Sequence, residues 1–289
     1  MTLERVPPIT LESKESIEHI YDFFEQRGPV SVLTKAVYPL LAVILSPTRS
    51  FELGAEERLS DHLQNGGKIF MALKHGHELD PVQVAGATFR GPLRQMREGS
   101  DIMAKPGLFM NQRFAQLLTF LGAYAGIRGK DFDYEKFNAP TDELLRSELQ
   151  TYAARRAIEL GTIRLNRDNH QGIFFEGERT QEEVTIRRVK RGIGEILTDA
   201  DNPEKFLLVC AAVDYTLGLC DATVAFSYPQ QIPAKAEEIK QLAATDTRRC
   251  VEAAAWLSAS RRPNPKGQVM NRLLSRFLPE EYVYPNRET

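Results

Sequence analysis

The run Ile69-Phe-Met-Ala-Leu73 passes directly into Lys74-His-Gly-His-Glu-Leu-Asp80-Pro81, and this junction limits what the chain can form. A short apolar run bounded by polar turn residues suits a strand buried on both faces. Pro81 suits the first turn of a following helix, because its missing N–H would lack a partner there anyway. A histidine at a strand end with a carboxylate five residues on has a chemical logic. Imidazole titrates nearest neutrality of all side chains. A carboxylate on Nδ1 fixes the tautomer and leaves Nε2 free to take a proton from a hydroxyl. His75 and Asp80 are therefore a candidate base and its orienting partner. A satisfied loop histidine is the plainer alternative.

The flanking sequence alternates strand-like and helix-like stretches, which argues for an α/β fold with a central mixed sheet flanked by helices. Helical spacing predicts a helix over 13–27, capped by Ser13, and a second apolar segment over 31–45. Together they form an N-terminal helical module, residues 1–48. A domain over 49–262 and a C-terminal helix and tail over 263–289 follow. Within the domain, strands are expected at 69–73, 102–104, 122–128, 172–175, 206–213 and 223–226. Helices are expected at 56–64, 81–89 and 108–121. Another opens at Pro140-Thr141 and closes at Gly161. The helix over 234–260 carries an interruption near Asp246. Val184 to Leu197 mixes Arg187, Arg188, Lys190 and Arg191 with apolar residues. That basic run reads either as a solvated face or as a contact for coenzyme phosphates or anionic lipid.

Composition narrows the function classes. A net charge of −2 argues against a general nucleic-acid binder. Three cysteines, Cys210, Cys220 and Cys250, form no metal or redox spacing and suit a reducing, cytoplasmic compartment. The first residues show no secretory signal, and no apolar stretch reaches the ~20 residues of a membrane span. Residues 13–45 are candidates for core, lid or a peripheral contact with the inner face of a membrane.

Polar clusters follow the predicted strands at His75 to Asp80, at Arg128 and at Glu176-Gly-Glu-Arg-Thr180. Ligands bind outside the carboxyl ends of strands in open α/β sheets. A base, a carboxylate and the arginines Arg128 and Arg179 thus reach one crevice. Guanidinium forks grip phosphate bidentately, and Gly177 allows close backbone approach.

Taken in order, these blocks resemble the glycerol-3-phosphate and lysophospholipid acyltransferase family. His75 and Asp80 match its His-x4-Asp block. Gly122 to Arg128 matches its glycine-led strand ending in arginine. Phe174-Phe-Glu-Gly-Glu-Arg-Thr180 is similar to its Phe-Pro-Glu-Gly-Thr-Arg-Ser block. Leu208 to Val213, Lys190-Arg-Gly192 and Val224 to Pro229 match its later elements. Lys74 stands where the family has asparagine, Phe175 where it has proline and Glu178 where it has threonine.

The resemblance implies an O-acyltransferase of phospholipid biosynthesis. The donor would be acyl-coenzyme A or acyl carrier protein, and the acceptor a phosphorylated glycerol or lysophospholipid. It implies His75 as general base oriented by Asp80, Arg128 and Arg179 on the acceptor phosphate, and Glu176 and Gly177 shaping the pocket. Direct transfer calls for no cofactor and no acyl-enzyme. A metal-dependent hydrolase using His75, His77 and Asp80 is the competing reading, since these are ligand-type residues at close spacing. None of His19, His62 and His170 lies in a second ligand motif. A catalytically silent lipid-binding module is a third, separated from both enzymes by an assay for thioester turnover.

Overall fold

Alternation along one strand sets the architecture. In β2 (Lys68–Leu73) the side chains of Ile69, Met71 and Leu73 belong to one apolar core, and those of Phe70 and Ala72 to another. Successive residues of a strand face opposite ways, so an apolar run demands cover on both sides. A computed structural model of the protein supplies that cover. It describes residues 5–28, 47–74, 76–77, 80–88, 91–98, 100–133, 135–175, 189–276, 278 and 283.

The other strands are β1 (Thr48–Phe51), β3 (Ser100–Ala104), β4 (Ala123–Ala125), β5 (His170–Phe174), β6 (Phe206–Asp214), β7 (Thr223–Phe226) and β8 (Gln230–Gln231). They form one sheet in the order β1-β7-β6-β2-β5-β3-β4, with β8 pairing β6. From β6 to β4 the pairing is parallel throughout. β7 runs antiparallel to β6, and β1 is parallel to β7. The sheet is mixed, as the sequence predicts. Its parallel centre aligns the carboxyl ends of β2, β3, β4, β5 and β6 along one edge.

The helices divide between the faces. α2 (Ala55–Gln64) and α3 (Asp80–Ala87) cover the Ile69 side through Leu59, Leu63 and Val84. The Phe70 side is covered by α6 (Gly192–Thr198) and α7 (Ala236–Ser260), with Leu165 from the end of α5 (Glu143–Asn166). A third cluster joins α1 (Lys14–Glu25), β4 and α5 from Leu149 to Leu160, and includes Ala115 of α4 (Gln112–Phe120). Fully burying each large side chain there contributes about 1.5–3 kcal/mol. Ser13 caps α1 by accepting from the Ser16 N–H at 3.2 Å, as its sequence predicts. The apolar segment 31–45 lies outside the described residues. α8 (Pro265–Leu274) carries a proline in its first turn, where the missing N–H costs nothing.

Two sequence expectations are corrected. Gly161 does not close α5, which continues to Asn166. A Cβ on Gly161 would lie 2.7 Å from Ile196 Cδ1, so the glycine serves close approach to α6 rather than termination. Nor is α7 interrupted at Asp246, whose carboxyl sits on its buried face. Burial raises that carboxyl above the usual range, with Arg249 acting in the opposite direction.

Candidate active site

Beyond Leu73 the chain keeps to β6 for one more bond, with the Lys74 N–H donating to the Ala211 carbonyl at 3.0 Å. It then turns, and Asp80 opens α3. The Asp80 carboxylate folds back over this turn. Its Oδ2 accepts from the N–H groups of Gly76 at 2.7 Å and His77 at 2.8 Å. Its Oδ1 accepts from the Tyr215 hydroxyl at 2.7 Å. Asp80 is only 1% exposed. Three donors, together with the positive end of a helix, make an anion tolerable in that setting. The His77 ring lies 5.1 Å from the Tyr215 ring, tilted by 54°.

Arg128 follows β4 on the same edge of the sheet. Its backbone N–H and its Nε both donate to Asp131 Oδ2, at 2.8 and 3.0 Å, and its Nη2 donates to Oδ1 at 2.7 Å. One buried carboxylate thus holds two guanidinium nitrogens and fixes the plane of the fork. The sequence carries this partner as an Arg-x-x-Asp pair, a spacing that the motif comparison does not use.

A cavity of about 460 Å³ lies along this edge. Its wall includes Pro81, which directly follows Asp80, and Arg128. Met103, Leu108, Ile158, Ile173 and Phe174 make much of it apolar, while Lys105, Lys130 and Lys190 join Arg128 as its cationic side chains. A mainly apolar pocket with a few charged groups is the usual form of a small-molecule site. A second, open cleft of about 820 Å³ lies beside β1 and is lined by Glu52, Glu56, Glu57, Arg49 and Lys266. Gly86 and Ala87, at the far end of α3, also line it, whereas Asp80, Pro81 and Tyr215 do not.

The structure therefore brings Asp80 and the cavity bearing Arg128 to one edge of the sheet. His75, Glu176, Gly177 and Arg179 lie outside the described residues, as do Arg187 and Arg188. Sequence reasoning missed Tyr215, Asp131, Lys105 and Lys130. Lys105 was accessible, since it directly follows a predicted strand on the same edge. Tyr215 had no such signal, because its contact with Asp80 spans 135 positions.

Among the described residues no three histidine, cysteine, aspartate or glutamate side chains gather as a metal-holding group. Burial pushes the Cys210 thiol up to about 12 and Cys220 up to about 11, and raises Cys250 as well. Such thiols stay protonated near neutrality and make poor nucleophiles.

No protein-family model matches the chain, and no curated protein matches it. Among solved structures it is similar to the crystal structure of the 1-acyl-sn-glycerophosphate (LPA) acyltransferase PlsC from Thermotoga maritima. The two are 13% identical, with a TM-score of 0.47, over 87% of this chain and 84% of that one. Among the described residues, no helix is long and apolar enough to cross a membrane.

Proposed function

We infer that the chain is an O-acyltransferase, moving a fatty acyl group from a thioester to a hydroxyl of a phosphorylated glycerol or lysophospholipid. The donor is acyl-coenzyme A or acyl carrier protein. The observation that carries this reading is the mainly apolar cavity lined by four cationic side chains, with Pro81, the residue after Asp80, in its wall. An acyl chain suits its apolar wall, and an anionic group suits Lys105, Arg128, Lys130 and Lys190. The His-x4-Asp spacing supplies the chemistry beside it.

In this reading His75 takes the proton of the acceptor hydroxyl as its oxygen attacks the thioester carbonyl. A C–O bond forms and the C–S bond breaks. The imidazolium returns its proton to the departing thiolate. Asp80 orients the imidazole and stabilises its charged form. Arg128 and Arg179 hold the acceptor phosphate, which places the hydroxyl for attack, and Glu176 and Gly177 shape the pocket. Asp131 keeps the Arg128 fork in a fixed plane. The protein works in the cytoplasm and meets the inner face of the membrane through the apolar segment 31–45 and the basic run 187–191. The electrostatic share of that contact weakens with salt.

The test is product analysis after incubation with acyl-coenzyme A and a panel of phosphorylated and unphosphorylated acceptors. We expect an ester on a phosphorylated acceptor, with thiol release dependent on that acceptor. His75→Ala should lower kcat by roughly 10²–10⁴-fold with the acceptor KM largely kept. Acceptor-independent thioester hydrolysis, or wild-type turnover in His75→Ala, would overturn the reading.

A further inference from the structure

Tyr215 is the first residue after β6, and β6 outruns its neighbour. Leu73, the last residue of β2, pairs with Ala211, so β6 continues to Asp214 alongside the turn that β2 has entered. That overrun carries Tyr215 to the Asp80 carboxylate. The ring is buried with Leu219 and Ala222. Its backbone is fixed too, since the Gly218 N–H donates to the Tyr215 carbonyl at 2.7 Å. The phenol is therefore mounted on an element separate from the turn it touches.

The two oxygens of Asp80 are held from different directions. Oδ2 takes its N–H donors from the turn itself, and those alone allow the carboxylate to hinge with the turn. Oδ1 takes the Tyr215 hydroxyl from the neighbouring strand, at 2.7 Å. A neutral phenol orients a carboxylate without cancelling its charge, which an ammonium or guanidinium in that place would do.

We propose that Tyr215 is a positioning residue for the base: its hydroxyl, anchored on β6, locks the Asp80 carboxylate in the orientation from which it directs His75. This rests on the acyl-transfer reading above. Small errors in the placement of a base are costly to turnover, because the reacting groups must stay aligned at hydrogen-bond range. A hydroxyl that merely satisfied a buried oxygen would affect folding and leave the turnover of folded molecules alone.

The experiment compares the full-length wild type, Tyr215→Phe, Asp80→Asn and the double variant, with acyl-coenzyme A and the best phosphorylated acceptor. kcat, acceptor KM and the thermal midpoint are measured for each. Phenylalanine keeps the ring and its packing and removes only the donor. Tyr215→Phe should lower kcat about 10-fold in folded protein, with acceptor KM changed by less than about two-fold. In the Asp80→Asn background the same substitution should lower kcat by less than about two-fold, since the group it acts through is already impaired. Full kcat in Tyr215→Phe beside an impaired Asp80→Asn would overturn the Tyr215 role alone, as would an undiminished loss in the double variant. Wild-type turnover in Asp80→Asn, or no turnover by the wild type on any acceptor, would remove the acyl-transfer reading and the Tyr215 role with it.

Discussion

At the edge of the sheet where β2, β3 and β5 begin, Asp101, His170 and Lys68 gather. At the edge where β2, β4 and β6 end stand Asp80, Arg128 and Tyr215. Both edges bury a carboxylate almost completely, Asp101 and Asp80 alike. Their company differs. Asp101 pairs with the buried Arg164 guanidinium and accepts from Asn169 Nδ2 at 2.8 Å. Arg164 also donates to the Phe24 carbonyl, which ties α1 to the sheet. The described donors to Asp80 are two backbone N–H groups and a phenol. A carboxylate closed into an ion pair commits its charge to the fold. The opening edge thus ties α1 and α5 to the sheet, while at the closing edge, on the acyl-transfer reading, Asp80 serves the chemistry.

The largest expected effect tests that division from the closing edge. Asp80→Asn should lower kcat by about 10²–10⁴-fold, because an amide favours the wrong imidazole tautomer and cannot stabilise the imidazolium. Its thermal midpoint should change far less than its rate. A protein that unfolded without losing turnover per folded molecule would place Asp80 with the structural residues.

Asp101→Ala should show the converse. Burial raises the Asp101 carboxyl above its usual range even with Arg164 beside it. Removing Asp101 strands a buried guanidinium, which costs about 3–5 kcal/mol. Denaturant unfolding should show that loss, and kcat per folded molecule should stay near wild type. A clear drop in kcat would break the comparison.

His170 extends the opening edge into pH. Its Nδ1 accepts from the Ile69 N–H at 3.0 Å. Burial, with Lys68 adding to it, lowers its pKa to about 3. The imidazole stays neutral in the folded protein while the unfolded chain takes up its proton near 6.5. The unfolded state binds more protons below that value, so this contribution is complete above pH 6.5 and is lost as pH falls toward 3. The slope approaches about 1.4 kcal/mol per pH unit. His170→Asn keeps an acceptor for the Ile69 N–H and should flatten the slope in that window. Identical slopes in the two proteins would count against the assignment.

What the sequence disclosed follows the range of the interactions involved. The strand over 69–73 and the helix over 56–64 were legible because apolar spacing is local. Thr223 to Phe226 matches its observed bounds for the same reason. The polar turn between β2 and Asp80 was legible because the stretch joining Asp80 to Gly76 and His77 is short. Gly161 was misread, because a glycine ending a pattern and a glycine touching Ile196 look alike until α6 is packed against it. Tyr215 was invisible to spacing, since only the parallel pairing of β2 with β6 brings it to Asp80. Arg128 was found as a strand-end cation, but its fixed plane depends on Asp131, which no argument from strand order singles out.

The smallest effect separates burial from position. Asp168 also lies at the opening edge, one residue before Asn169, and pairs with Lys205 and, at 3.7 Å, with Lys68. Its side chain is 49% exposed. Its φ of +66° is left-handed, a conformation that asparagine accepts as readily as aspartate. Asp168→Asn therefore removes the charge and leaves the backbone at ease. The hydrogen bond from Lys205, with Lys68 adding to it, holds the carboxyl below its usual range. Its contribution is present above the unfolded value near 3.8 and fades as pH falls through the lower folded value. Water and salt screen such a pair, so the substitution should cost under about 1 kcal/mol at neutral pH, and less in high salt. Unfolding curves at low and high ionic strength measure this directly. A loss as large as that of Asp101→Ala, unmoved by salt, would show that the edge itself rather than burial sets the strength of these pairs.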